Sequence, residues 1–165
     1  MENVKNSFKP IVDYKSKLLI LGSLPSDKSI MANEYYGNKT NQFWDILSLI
    51  FEKEKINFMD YDEKIQFLKK HNIALWDVYC SAERSGSLDT NIKNETFNDI
   101  KEFMDKYENI ELILVNGKKA EAGFRKYLKS ENVHYNYRYV PSSSSANTRF
   151  SVMGKVELWR KAIFE

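Results

Sequence analysis

Residues 17–26 read Lys17-Leu18-Leu19-Ile20-Leu21-Gly22-Ser23-Leu24-Pro25-Ser26: an apolar run stopped by glycine and followed by a turn-forming stretch. A short unbroken run of this kind suits a strand buried on both faces better than an amphipathic helix. Three more segments have strand character. They are residues 73–78 (IALWDV), residues 110–115 (IELILV) ahead of Asn116-Gly117, and residues 133–140 ahead of Pro141. In the last of these, Val133, Tyr135, Tyr137 and Tyr139 alternate with His134, Asn136 and Arg138, which predicts a strand with one wetter face.

Helical patterns separate these strands. Residues 60–70 place Asp60 and Glu63 as a capping box ahead of Ile65, Phe67 and Leu68. A second helix is predicted to open at Thr96, with Phe97, Ile100, Met104 and Tyr107 along one face. Phe43, Leu47, Ile50 and Phe51 mark another, which Thr40 can cap, and Val156, Trp159, Ala162 and Ile163 mark the last. Strands alternating with helices predict an α/β fold with helices on both faces of a mainly parallel sheet, because parallel neighbours need crossover connections. Ligands of such sheets bind beyond the carboxyl ends of the strands. Those ends are Gly22 to Ser26, Asp77 to Tyr79, Asn116-Gly117 and Pro141 to Asn147. Residues 25–40 and 80–95 read as long irregular loops leaving the same rim, and loops of that length tend to be functional.

A length of 165 residues bounds the chain to one compact domain, and 42% hydrophobic residues supply its core. The longest apolar runs are far too short to cross a bilayer, so a soluble cytoplasmic protein is expected. Cys80 stands alone, which excludes an intramolecular disulfide, and it reads as a small buried apolar side chain rather than a reactive thiol. His71 and His134 are far apart, so no metal site is expected. Net charge is only +2, yet residues 111–165 hold 10 Lys or Arg against 5 Asp or Glu. That C-terminal excess suits a phosphate-facing surface or a solvated lysine-rich face.

Asn41 falls in the first turn of the helix that Thr40 opens, on the loop rim, where it is either a cap or a catalytic amide. Asp77 ends the second strand, where a buried carboxylate needs a neighbouring loop or a ligand. Ser142 to Ser145, followed by Asn147, Arg149 and Phe150, offers hydroxyls, a cation and an aromatic to a phosphate, or forms a plain polar loop.

Five motifs in order resemble a known family: GSLPSDKS, YYGNKTNQFW, ALWDVYCSAERSGSLD, VNGKKAEAGF and VPSSSSANTRFS, spread from Leu18 to Trp159. They look like the uracil-DNA glycosylase superfamily, most closely its hypoxanthine-DNA (deoxyinosine) glycosylase branch. The resemblance implies a three-layer α/β/α sandwich around a mainly parallel four-stranded sheet, with residues 1–165 as one such domain. It further implies a monomeric, monofunctional DNA glycosylase of base excision repair, without cofactor or metal. Such an enzyme flips a deaminated base out of DNA and hydrolyses its N-glycosidic bond, with hypoxanthine the first substrate and uracil the second.

Many superfamily members carry a catalytic Asp or Asn where this chain has Leu24, and a histidine where it has Val140. In the deoxyinosine branch the catalytic role is thought to pass to the Asn before x-Phe-Trp, here Asn41. Asn38-Lys39 stands where relatives read His-Pro. Tyr36 takes the place of the aromatic that stacks on the flipped base, and Ser26 stands where uracil-specific relatives have a tyrosine. Gly22, Ser23, Ser26, Tyr36, Asp77, Ser143 and Asn147 are thus expected around the base. Ser142, Ser144, Arg149 and Phe150 are expected along the DNA, with Phe150 or a neighbour as a wedge. Two other readings stand beside this one. A noncatalytic nucleic-acid or nucleotide binder could keep the fold, and a serine hydrolase using residues 142–145 lacks a Gly-x-Ser-x-Gly elbow.

Overall fold

The structure, a computed structural model, describes residues 4–84 and 92–165. In chain order the elements are β1 (Val4–Asn6), β2 (Leu18–Gly22), α1 (Asp27–Ala32), α2 (Phe43–Phe51), α3 (Tyr61–Lys70), β3 (Ile73–Asp77) and β4 (Tyr79–Arg84). There follow β5 (Ile92–Phe97), α4 (Ile100–Lys106), β6 (Leu112–Asn116), α5 (Lys118–Glu131), β7 (Tyr137–Val140) and α6 (Val152–Phe164).

Strands β3, β2, β6 and β7 form, in that spatial order, a four-stranded sheet in which every neighbouring pair is parallel. The side-chain period of two divides β2 between two cores. Leu18 and Ile20 pack with Phe43, Leu47, Phe67, Leu68 and Trp159 on the side of α2, α3 and α6. Leu19 and Leu21 pack with Ile100, Phe103, Ala120 and Phe124 on the side of α4 and α5. The result is a three-layer α/β/α sandwich, and burial on both faces is the reason β2 reads as an unbroken apolar run. Each fully buried Leu or Ile contributes about 1.5–3 kcal/mol.

The chain moves from β2 to β3 on one side and then returns past β2 to β6. The strand order therefore reverses at β2, and a crevice opens at the carboxyl ends of β2 and β6.

Several elements differ from expectation. Residues 25–40 contain α1, capped by the Ser26 side chain, which accepts from the Ser29 N–H. The only buried residue of α1 is Ser29, so the helix carries no apolar stripe to announce it. Residues 80–95 are not one loop, because β4 and β5 pair antiparallel there, with β1 on the other edge of β4. Their sequence is polar because much of this small sheet faces solvent. Register shifts also interrupt its alternation between Tyr79 and Ser81 and between Ser81 and Glu83. The same irregularity leaves Cys80 exposed, not buried as expected, while Tyr79 and Ala82 point inward. Part of the motif over residues 74–89, from residue 85, lies outside the described residues.

The predicted opening at Thr96 is also displaced. Thr96 and Phe97 end β5, and α4 starts at Ile100 with Asp99 as its cap, accepting from the Glu102 N–H. Strand β7 begins only at Tyr137, since the N–H of Val133 still bonds to the Leu128 carbonyl at the end of α5. Asp60 does cap α3, through the Glu63 N–H, and Glu63 reaches back to the Met59 N–H. Among the described residues no helix is long and apolar enough to cross a membrane.

Candidate active site

The crevice at the strand ends is a cavity of about 440 Å³. Its walls come from several places in the chain, Ser29 of α1 among them. Gly22 to Ser26 follow β2, Tyr35, Tyr36, Asn38 and Asn41 precede α2, Asp77 and Asn116 end β3 and β6, and Ser142 to Ser144 with Ala146 and Asn147 follow β7. Every substrate-binding residue expected from the sequence therefore lines one cavity, and so does Asn41.

Gly22 is required by close approach. A Cβ built on it would lie 2.8 Å from Asp77 Oδ1 and 2.9 Å from the Tyr36 hydroxyl. Both polar atoms occupy space that any larger residue would take. Asp77 is 4% exposed, and its backbone carbonyl accepts from Asn98 Nδ2 at 2.8 Å, which anchors the end of β3. Tyr35 lies nearby. Burial first, and then the negative charge of Asp77, push its phenol far above the ordinary tyrosine range. Its hydroxyl donates to the Phe8 and Lys9 carbonyls.

Tyr36 has φ 52°, in the left-handed region that a bulky residue enters only under constraint. Three contacts hold it there. Its ring stacks on Phe43 at 3.7 Å between centroids, Trp44 Nε1 donates to its carbonyl, and Gly37 N–H donates to Ser29 Oγ. One face of the Tyr36 ring is thus covered by Phe43.

Asn41 precedes α2 and does not sit in its first turn. Its Oδ1 accepts the N–H of Phe43 at 2.9 Å, and Gln42 occupies the position before the helix. Thr40, expected as the cap, makes no cap bond. Its hydroxyl donates instead to Asn38 Oδ1 at 2.9 Å. The shorter reach of an Asx turn explains the exchange, since an Asn side chain can satisfy the amide two residues on. With one lone pair of Oδ1 taken by the helix, the orientation of the Asn41 amide is fixed.

Asn116, expected only as a strand end on the ligand-binding rim and not among the residues around the base, also lines the cavity. It is 7% exposed, its Nδ2 donates to Ser143 Oγ at 3.0 Å and to the Tyr36 hydroxyl at 3.3 Å, and its Oδ1 accepts the Ser143 N–H at 3.0 Å. It therefore ties the serine loop to the stacking ring. A polar amide at the carboxyl end of an otherwise apolar strand was the available signal. The serine loop is fixed further by Trp159 Nε1 donating to the Pro141 carbonyl, Gln42 N–H donating to the Ser143 carbonyl, and Asn147 Nδ2 donating to the Ser142 carbonyl. Gly117, with φ 97°, lets β6 turn into α5 directly against Ser142.

Arg149 and Phe150 do not line this cavity. They line an adjoining hollow of about 530 Å³ with Lys118, Lys119 and Tyr139, and Ser142 and Asn147 belong to both. The Arg149 guanidinium lies 5.5 Å from the centroid of the Phe150 ring. A basic, partly aromatic hollow thus continues directly from the polar cavity. Leu24 and Val140, at 7% and 0% exposure, are core residues, and Leu24 also lines the cavity. Among the described residues no three His, Cys, Asp or Glu side chains group so as to hold a metal ion.

The cavity can take a flat polar ring between an aromatic face and several fixed donors and acceptors. Residues 9–162 match the family model described as the uracil DNA glycosylase superfamily. The chain is 37% identical to a hypoxanthine DNA glycosylase of Methanosarcina barkeri, over 96% of this chain and 97% of that one. It is 38% identical to a hypoxanthine DNA glycosylase of Methanosarcina acetivorans, over 90% and 91%. A solution NMR structure of a candidate uracil DNA glycosylase from Methanosarcina acetivorans superposes with a TM-score of 0.79 at 36% identity, covering 97% of this chain and 99% of that one.

Proposed function

The chain belongs to the uracil DNA glycosylase superfamily and is a DNA glycosylase, and from that premise we propose that it removes deaminated bases, hypoxanthine first and uracil second, as a monofunctional enzyme. The observation that carries this reading is the pinned amide of Asn41 in the same cavity as Tyr36, Asp77, Asn116 and Ser143. A base within a duplex cannot reach such a cavity, so it must be flipped, and a deaminated or mispaired base is extruded most easily. Tyr36 offers the ring face opposite Phe43 to the base, and stacking accepts a purine as readily as a pyrimidine.

Hydrolysis transfers the sugar carbon from base nitrogen to water. The glycosidic electron pair leaves with the base, water forms the new C–O bond and gives its proton to solvent, and the departing base anion takes up a proton from solvent. Positive character develops on the sugar and negative charge on the base, so donors preorganised around the base accelerate the step. Asn41 Nδ2 supplies one such donor, and the remaining lone pair of Oδ1 can orient the water. An amide is not basic enough to deprotonate water, so Asn41 positions rather than abstracts. Ser143 and Asn147 are the further donors, in place of the histidine that Val140 replaces. Asp77 accepts from the hydrogen-bonding edge of the base. The small side chain of Ser26 leaves room for the second ring of hypoxanthine. Among the described residues neither lysine nor histidine lines the cavity, which supports release by water rather than through a Schiff base.

The test is excision from duplexes carrying one inosine, uracil or xanthine, with the abasic product cut by alkali. Inosine duplexes should be cleaved fastest, in chelator as in its absence, and borohydride should trap no covalent adduct. Tight DNA binding without any excision would instead identify a noncatalytic binder.

A further inference from the structure

Lys155, in α6, is a lysine with 0% exposure that the chemistry above does not use. Its Nζ donates to Gln42 Oε1 at 2.7 Å and to the Ser144 carbonyl at 3.0 Å, both neutral acceptors. Among the described residues no salt bridge reaches it. Burial pulls its pKa below the ordinary lysine value, so the surroundings do not favour the charge. A buried ammonium that has hydrogen bonds but no opposite charge beside it is costly to hold in the folded state. Stability is therefore a poor account of an ammonium at this place, and its two acceptors suggest a better one.

Gln42 and Ser144 belong to the two segments that must cooperate in excision. Gln42 directly follows Asn41, and its own N–H donates to the Ser143 carbonyl at 2.9 Å. Ser144 lies in the loop that runs through Arg149 and Phe150 to Ser151, which caps α6 through the Gly154 N–H and whose carbonyl accepts from the Lys155 N–H. Lys155 thus sits one turn inside the helix that begins where the DNA-facing loop ends, and its side chain reaches back to the residue beside the catalytic amide. We propose that Lys155 is a positioning residue that couples the loop meeting DNA to the Asn41 amide meeting the base, by holding Gln42 and Ser144 in one register. The coupling deepens the glycosylase reading and rests on it for its effect on rate. A misplacement of about 1 Å at a reacting group is enough to slow a reaction by roughly a hundredfold.

The test compares Lys155→Met, Gln42→Met, their double variant and Gln42→Glu. Single-turnover rates on an inosine duplex at saturating enzyme are measured beside Kd for the same DNA and Tm. Lys155→Met and Gln42→Met should each lose roughly tenfold to a hundredfold in rate, with Kd within about threefold of the parent. The double variant should be no slower than the slower single one, because both changes cut the same link. Gln42→Glu, which keeps an acceptor for the ammonium, should stay within about threefold of the parent. Parental rates in Lys155→Met, losses that multiply in the double variant, or losses confined to Kd would overturn the proposal. If Lys155→Met does not fold, the contrast between Gln42→Met and Gln42→Glu decides the same way. If the parent excises no base, the glycosylase reading fails, and the coupling is read from the side-chain amide NMR signals of Asn41, identified by their loss in Asn41→Ala. Signals displaced in Gln42→Met but not in Gln42→Glu support it, and unmoved signals refute it.

Discussion

Asn41 is the partner of the Phe43 N–H and, in the proposed reading, also the amide that faces the base, and substitution separates the two. Asn41→Ala should lower the single-turnover rate by about 10²–10³, the usual effect of removing one preorganised donor. Losing the bond to α2 should lower stability by about 1 kcal/mol, read as a modest fall in Tm. DNA affinity should change little, and a variant with the parent's rate would move the catalytic centre elsewhere. Ser26 is likewise double, since it caps α1 and also lines the cavity. Ser26→Ala should cost about 1 kcal/mol and slow hypoxanthine and uracil excision in equal proportion. Ser26→Tyr loses the same cap and also narrows the wall, so relative to Ser26→Ala it should slow hypoxanthine excision more than uracil excision. Equal further losses on both bases would refute the steric role.

At the scale of elements, the loop between β7 and α6 serves two hollows. Its first half lines the polar cavity, and its second half, with Lys118 and Lys119 from the start of α5, lines the basic one. A strand of DNA laid across the second hollow can deliver a base into the first. Lys119 is partly committed, being paired with Glu95 at 2.8 Å, so Arg149 is the better candidate for a phosphate contact. Arg149→Ala should weaken DNA binding and lower the slope of log affinity against log salt by about one phosphate's contribution. An unchanged slope, measured by fluorescence anisotropy over a salt series, would remove Arg149 from the interface.

Across the whole molecule the most consistent electrostatic feature is a set of tyrosines whose pKa burial raises. Tyr35 is shifted furthest, Tyr127 is pushed up to about 12, and Tyr61, Tyr135 and Tyr139 move the same way. In the folded state these phenols keep their protons while those of the unfolded chain ionise from about pH 10 upward. The stabilisation is therefore complete below about pH 10 and is lost as pH rises towards the folded values. Lys155, lowered by burial, has the opposite sign, since its cost to the folded state is relieved as pH rises. Lys119, whose pKa is raised, despite its burial, by the bond to Glu95, acts in the same direction as the tyrosines. With these five tyrosines and Lys119 against Lys155, Tm should fall between about pH 10 and about pH 11.5. Tyr127→Phe, which removes one of the five, should make that fall shallower. A flat Tm over this interval would contradict the assignment.

Much of this protein was legible without coordinates because one kind of physics wrote it. Strands buried on both faces must be apolar at every position, so β2, β3 and β6 could be read within about two residues of their ends, as could the capping box of α3. The five motifs brought Asn41, Tyr36, Asp77 and Ser143 to one rim because the carboxyl ends of parallel strands share an edge. What could not be read were features whose determinants lie far apart in the chain. Helix α1 has no apolar stripe, and β4 and β5 owe their order to cross-strand pairing between polar segments. Asn41 rather than Thr40 meets α2, and Cys80 turns outward because β4 is irregular. Asn116 and Lys155 look ordinary in sequence. Only the tertiary structure gives them partners, 27 residues away at Ser143 and 113 residues away at Gln42, since a buried polar group is defined by what the fold places against it.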